Sequence, residues 1–296
     1  MISSANITVR SFEYNWLDIF WEFSDSDYDE RDHEWRVVRS ESAAGPWSAL
    51  TGWIQGVHYL RDNITSMISR TRTLYYCVEV RAITNPSEVN RLGPGSLRAA
   101  PGLVGMELIR QVRMELMYSG RMAFLVPIRT IGMPCISCVD MESGTKFRSR
   151  CEDCFDTERA GGYLSPIRTE IDVAEVDSDT RSTDTAKLTQ NNTSGRMSNF
   201  PPAKQGDIVV TSENKRFRVE KVVTTEHRAS PFEQNIILHE IPRGDVEYKI
   251  PIDVGDLTRY DTEVDTRVLT NPTSDDVLSD DDVRELLGMF GGVKLI

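Results

Sequence analysis

Four cysteines have the type and spacing to do chemistry. Cys135-Ile-Ser-Cys138 is followed, after twelve intervening residues, by Cys151-Glu-Asp-Cys154. A CxxC turn aims two thiolates at a common point, and two such turns complete a tetrahedral shell for Zn2+. All four expected ligands are sulfur, so the shell is closed. Catalytic zinc keeps a position open for water or substrate, and no histidine stands near either pair to act as a base. The expected role is structural, with metal binding coupled to the folding of a segment too short to make its own core. Gly144 suits the tip of a hairpin that brings the second pair beside the first. The fifth cysteine, Cys77, falls on the outward side of an alternating strand, where it either packs or meets a partner.

The remaining residues offer no catalytic constellation. His33, His58, His227 and His239 are scattered, with no nucleophile or metal set around them. No pair of acids sits in an apolar setting of the kind that tunes general acid–base catalysis. There is no phosphate-cradling glycine loop and no Gly-x-Ser-x-Gly elbow. No catalytic or cofactor-binding residue is therefore expected, and the chain reads as a non-enzyme. Arg243-Gly244-Asp245 spells an adhesion tripeptide, but it lies outside the adhesion-type module described below and reads as a turn.

Charge narrows the partners. The 296 residues carry a formal net charge of −12. Nucleic acids and anionic membranes select clustered Lys and Arg, so neither is an expected partner. Around the cysteines, Lys146, Arg148, Arg150 and Arg159 are outnumbered by Asp140, Glu142, Glu152, Asp153, Asp156 and Glu158. From Asp253 to Glu285, eleven acids stand against Arg259, Arg267 and Arg284, which reads as a solvated tail or a docking arm for a basic surface. No apolar run is long enough to span a bilayer. Met1 to Asn6 lacks the basic and apolar regions of an export signal, so synthesis in a reducing cytoplasm, with metal rather than disulfides, is expected.

The elements that must position the cysteines are mostly strands. Leu17, Ile19 and Trp21 alternate with Asp18, Phe20 and Glu22, as a half-buried strand does. Trp35 to Arg39 is a second run, and Leu74, Tyr76, Val78, Val80 and Ala82 form the apolar face of a third. Arg91 to Gly105, with four glycines and two prolines, reads as a linker. Leu108, Ile109, Val112 and Leu116 then recur at helical spacing until Gly120, and Met122 to Ile128 is a buried strand leading into the cysteines. Residues 176–205 are rich in Ser, Thr, Asn and Asp and read as a long exposed loop. Runs at Ile208–Val210, Phe217–Val222 and Ile236–Ile241 suggest a small antiparallel barrel or sheet. Ser279 and Asp280 to Asp282 then cap a short helix through Val283, Leu286 and Leu287. The expected fold is thus mainly β, with domains at 1–98, 99–175 (linker helix and ribbon), 206–252 (small β domain) and 253–296 (acidic tail), the loop at 176–205 intervening.

Two resemblances follow from these residues. Leu74-x-Tyr76-x-Val78-x-Val80-x-Ala82, with Trp21 and Val37-Val38-Arg39-Ser40, resembles a fibronectin type III domain over about residues 5–98. The resemblance implies a β-sandwich with Tyr76 as the tyrosine-corner residue, its hydroxyl bonded to backbone upstream. Over about residues 130–250, Cys151-Glu-Asp-Cys154-Phe155, Gly161-Gly162-Tyr163, Ser165-Pro166-Ile167, Gly206-Asp207-Ile208-Val209, Arg216-Phe217-Arg218-Val219, Thr225-Glu226-His227-Arg228, Gln234 and Glu240-Ile241 resemble a zinc-ribbon element of tailed-bacteriophage virion structural proteins. A Gly-Thr-Gly familiar after the last knuckle is replaced by Asp156-Thr157-Glu158. This resemblance implies a location in the virion, a place at the neck or head–tail connector, and portal, tail or neck subunits as neighbours. It also implies assembly as a homo-oligomeric ring. A tail or baseplate component, an adhesion or interaction protein using the first domain, and a zinc-ribbon regulator are the alternatives.

Overall fold

The structure is a computed structural model. It describes residues 2–257 except 14–15, 26–27, 64–72, 98–101, 175–176 and 183–186. The acidic tail beyond residue 257, with its expected short helix, lies outside the described residues. The fold is mainly β.

The first part packs two antiparallel sheets face to face. One has the order β1 (Ala5–Glu13), β2 (Trp16–Phe23), β5 (Tyr59–Asp62). The other has the order β4 (Ser48–Ala49), β3 (His33–Ser40), β6 (Tyr75–Ala82), β7 (Asn85–Ser96). The apolar alternation places Leu17, Ile19, Trp21, Trp35, Val37, Tyr76, Val78 and Val80 in one shared core. The opposite faces are covered too, which the alternation alone does not reveal. On β6, Cys77 and Glu79 are buried. Glu79 holds Arg36 and Arg91, while Trp53 lies against Arg36 and Arg81, and Trp47 against Arg91. Cys77 is thus buried on that covered outer face rather than presented to a partner. The Tyr76 hydroxyl does reach upstream, but to a side chain: it donates to Asp62 Oδ2 at 2.8 Å, on a carboxylate that also accepts from Arg39.

The expected linker at 91–105 is largely structured, because β7 continues to Ser96 and the helix α1 (Leu103–Ser119) starts at Leu103. Gly102 precedes α1 and Gly120 ends it, with Ile109, Val112 and Leu116 on the buried face.

Beyond α1 the strands close into one barrel. In order round the ring they are β11 (Lys187–Ser198), β14 (Ser230–Glu240), β13 (Arg216–His227), β12 (Ile208–Thr211), β8 (Arg121–Val126) and β9 (Ile167–Val173), and β9 pairs back to β11. β10 (Asp177–Ser182) extends the sheet from β11. Two sequence expectations are corrected here. The small β domain expected at 206–252 is only half of the barrel, which also recruits β8, β9 and β11. The exposed loop expected at 176–205 is instead the β10–β11 pair followed by a buried turn: Met197, Ser198, Asn199 and Phe200 are all buried. Polar composition misled because β11 faces the barrel interior through Gly195 and Met197. At Gly195 an added Cβ would stand 3.2 Å from Ile236 and Leu238.

Candidate metal centre

The cysteine segment is an insertion between two adjacent barrel strands, β8 and β9, so its ends are fixed by the sheet before any metal arrives. A bridge from Ile128 to Tyr163 closes its base, and one from Pro134 to Arg159 sits below the first cysteine pair. In the first pair, the amides of Cys138 and Val139 donate to the Cys135 carbonyl at 3.2 and 2.8 Å, making the tight turn that points both sulfurs inward. Gly144 adopts φ +65° at the tip of the expected hairpin, where Asp140 and Thr145 are joined by an amide–carbonyl bond of 3.0 Å. Phe147 then donates to the Cys138 carbonyl, tying the returning arm to the first turn.

All four sequence-predicted ligands, Cys135, Cys138, Cys151 and Cys154, come together. They are buried, and their sulfurs lie within 4.8 Å of one another. Cys135 and Cys151 sulfurs are 3.8 Å apart, and those of Cys138 and Cys154 are 3.4 Å apart. A tetrahedral ion with metal–sulfur bonds of about 2.3 Å needs sulfur–sulfur edges of about 3.8 Å. A disulfide needs a separation near 2.05 Å. The cysteines are unbridged, and their geometry fits a metal ion.

The electrostatics fit the same use. Burial pushes the Cys154 thiol up to about 11 and raises Cys138 as well, so protons compete with a cation for these sulfurs. Burial also opposes ionisation of Cys151, but the amides of Cys154 and Asp153 donate to its sulfur and hold the thiol below its ordinary value. The turn therefore eases ionisation of Cys151, and a divalent ion would supply the charge that stabilises thiolates at all four positions.

A residue that sequence reasoning counted only as charge has a specific task. Asp156 Oδ1 accepts the Cys151 amide at 3.0 Å and meets Lys146 Nζ at 3.3 Å, so it joins the second cysteine turn to the arm of the first. Its position two residues after the last cysteine was the available signal. Asp156 and Glu158, standing where Gly-Thr-Gly was expected, adopt φ +65° and +66°. These are left-handed conformations that glycine takes freely and other residues take at a cost.

Barrel residues anchor the insertion. The fully buried Asp207 carboxylate accepts the amides of Ile128, at the base of the ribbon, and Lys204 at 2.8 and 2.7 Å. Burial pushes its pKa up to about 7 against those donors. The Gln234 side chain accepts the Ala203 amide and donates to the carbonyls of Ser198 and Pro201, fixing the turn that follows β11. The four histidines stay apart. His58 is buried among Trp21, Phe23 and Trp35, and burial with the nearby Arg129 cation pushes it down to about 3. His33 bonds the Asp29 carbonyl, and His239 bonds Asn192 Oδ1.

No protein-family model matches the chain, and no curated protein matches it. Among the described residues, no helix is long and apolar enough to cross a membrane.

Proposed function

We propose that this chain is a non-enzymatic structural subunit of a tailed-bacteriophage particle. In this reading it sits at the neck or head–tail connector as one member of a homo-oligomeric ring, with portal or tail subunits as neighbours. The bound metal is zinc, which suits four thiolates in a closed tetrahedron and has no redox chemistry of its own.

The observation that carries this reading is the ribbon built into the barrel. The residues that resemble phage virion proteins are those that fix that junction. Asp207 ties the ribbon base to the strand that opens with Ile208, Gln234 fixes the neighbouring turn, and the four cysteines close the tip. Such residues build a scaffold. The strand order of the first part, three strands against four with β3 and β6 central, supports the fibronectin type III resemblance and hence an accessory module on a larger assembly.

Particles assembled without this protein provide the test, imaged by negative stain. Heads and tails that fail to join are the expected result. Full heads joined to complete, infectious tails would exclude the connector role.

A further inference from the structure

The base of the ribbon reaches into the sandwich. Arg129, buried although it is a cation, donates to the Tyr28 hydroxyl at 2.9 Å and to the Glu30 carboxylate. Beside this pair lies His58, packed on Trp21, Phe23 and Trp35, with its Nδ1 3.7 Å from Glu30 Oε1. Burial, and then the Arg129 cation, oppose protonation of His58, so a neutral imidazole stands next to a paired charge. Trp21 Nε1, His58 Nε2 and Arg129 Nε are buried at this junction with no hydrogen-bond partner among the described residues. Buried polar atoms left unpaired weigh against the arrangement that buries them.

What seats Arg129 can be followed bond by bond from the cysteines. The Cys135 amide donates to the Glu158 carbonyl at 2.9 Å, and the Ala160 amide to the Met133 carbonyl at 2.8 Å, zipping the two arms below the metal centre. Arg159 Nη1 donates to the Gly132 carbonyl at 3.2 Å, and the Arg129 amide to the Gly162 carbonyl at 3.0 Å. Gly162 sits at φ +70°, and a Cβ added there would stand 2.6 Å from the Cys154 carbonyl oxygen. The backbone of one expected ligand thus rests on the residue that positions Arg129.

We propose that the metal centre works a latch on the sandwich: the loaded ribbon seats Arg129 beside His58, and loss of the ion withdraws that arginine and opens the pocket around the imidazole. The latch rests on the metal reading of the four cysteines. Its two-state element is the ribbon, whose folding the ion drives. Without the ion the arms lose both cysteine turns, and nothing then holds the guanidinium out of water. The unpaired Trp21 and His58 nitrogens gain water partners as it leaves. The sandwich itself stays folded, because its core is built from its own two sheets.

Labelling of the full chain with diethyl pyrocarbonate, read by mass spectrometry at His58, tests the latch. The chain is compared with zinc bound and after stripping by a chelator, with native mass spectrometry counting the ion. His58 should label severalfold faster in the stripped chain, with the amide protection of β6 unchanged, and slow labelling should return when zinc is added back. Arg129→Gln should label fast at His58 even with its zinc in place. That variant decides alone if stripping also costs β6 its protection. Equal labelling of His58 with one ion bound and with none overturns the latch while leaving the metal reading intact. Slow labelling in zinc-loaded Arg129→Gln overturns it too. A chain that takes up no ion fails the metal reading itself and takes the latch with it.

Discussion

Cys138 lies at the centre of the metal site, fully buried and 3.4 Å from Cys154. Cys138→Ser replaces a soft thiolate with a hydroxyl that stays protonated, so bound metal should fall from one ion per chain to none, read by native mass spectrometry. A variant that keeps a full ion would show that these sulfurs are not the ligands. Metal removal by a strong chelator should unfold residues 128–163 while the barrel strands keep their amide protection, because the sheet fixes only the ends of the insertion. The left-handed residues give a prediction of opposite sign. Glu158 holds φ +66°, and its carbonyl, which glycine would retain, accepts the Cys135 amide. Its carboxylate contributes only a partly exposed contact with Lys146 at 3.7 Å. Glu158→Gly should therefore stabilise the loaded ribbon by about 1 kcal/mol, measured as a higher denaturation midpoint with the metal in place. A lower midpoint would mean that the side chain matters more than the backbone strain.

At the scale of elements, the sequence makes local pattern legible but not long-range pairing. The apolar face running from Leu74 along β6 to Val80, the helix ending at Gly120 and the hairpin tip at Gly144 were all readable, because each depends on spacing within one segment. The barrel was not, since β8 and β9 are separated by the ribbon, and β11 lies within the polar stretch 176–205 that reads as a loop. What closes the ring is a pairing of Gly195–Met197 with Ile171–Val173, which no local pattern announces. A polar strand was mistaken for a loop for the same reason: its inward positions are a glycine and a methionine. Asp207 belongs to this scale because it fastens β12 to the ribbon. Its folded pKa of about 7 lies above the ordinary 3.8. The sign follows: its contribution to stability is complete below about pH 4 and is lost as pH rises through 7. The groups facing it are Lys204 from its own turn and Glu22 from β2, with Tyr163 from the ribbon base also within electrostatic reach. The stability of the unmodified chain, minus that of Asp207→Asn, should thus decline between pH 4 and 7 in denaturant titrations. A flat difference would show that the two amide donors fully offset burial.

Across the whole molecule, the sandwich and the barrel share a buried seam. The β2 strand looked half-solvated in sequence, yet Asp18 and Phe20 on its outer side are as buried as Leu17 and Ile19. Phe20 packs with Leu164, Ile167 and Phe200 from the barrel side, and the Tyr59 ring lies 5.2 Å from that of Phe200. Polar groups close the rest of the seam. Asp18 accepts from Tyr59 and Arg61, Arg129 donates to Tyr28 and Glu30, and Lys204 meets Glu22. Breaking such a seam exposes apolar surface and leaves buried charges without partners, so neither half separates cheaply. The two halves should therefore melt together, as one calorimetric transition of the metal-loaded chain. Phe200→Asp puts a carboxylate among Phe20, Leu164 and Ile167, the apolar part of the seam. That variant should show two transitions, the sandwich and the barrel now unfolding independently, while its bound metal is unchanged because the ribbon tip lies away from the seam. Two transitions already present in the unmodified chain would show that the seam does not couple the halves. A connector transmits force between neighbouring subunits only if its own parts resist being pulled apart, so this measurement also bears on whether the molecule is mechanically suited to the proposed role.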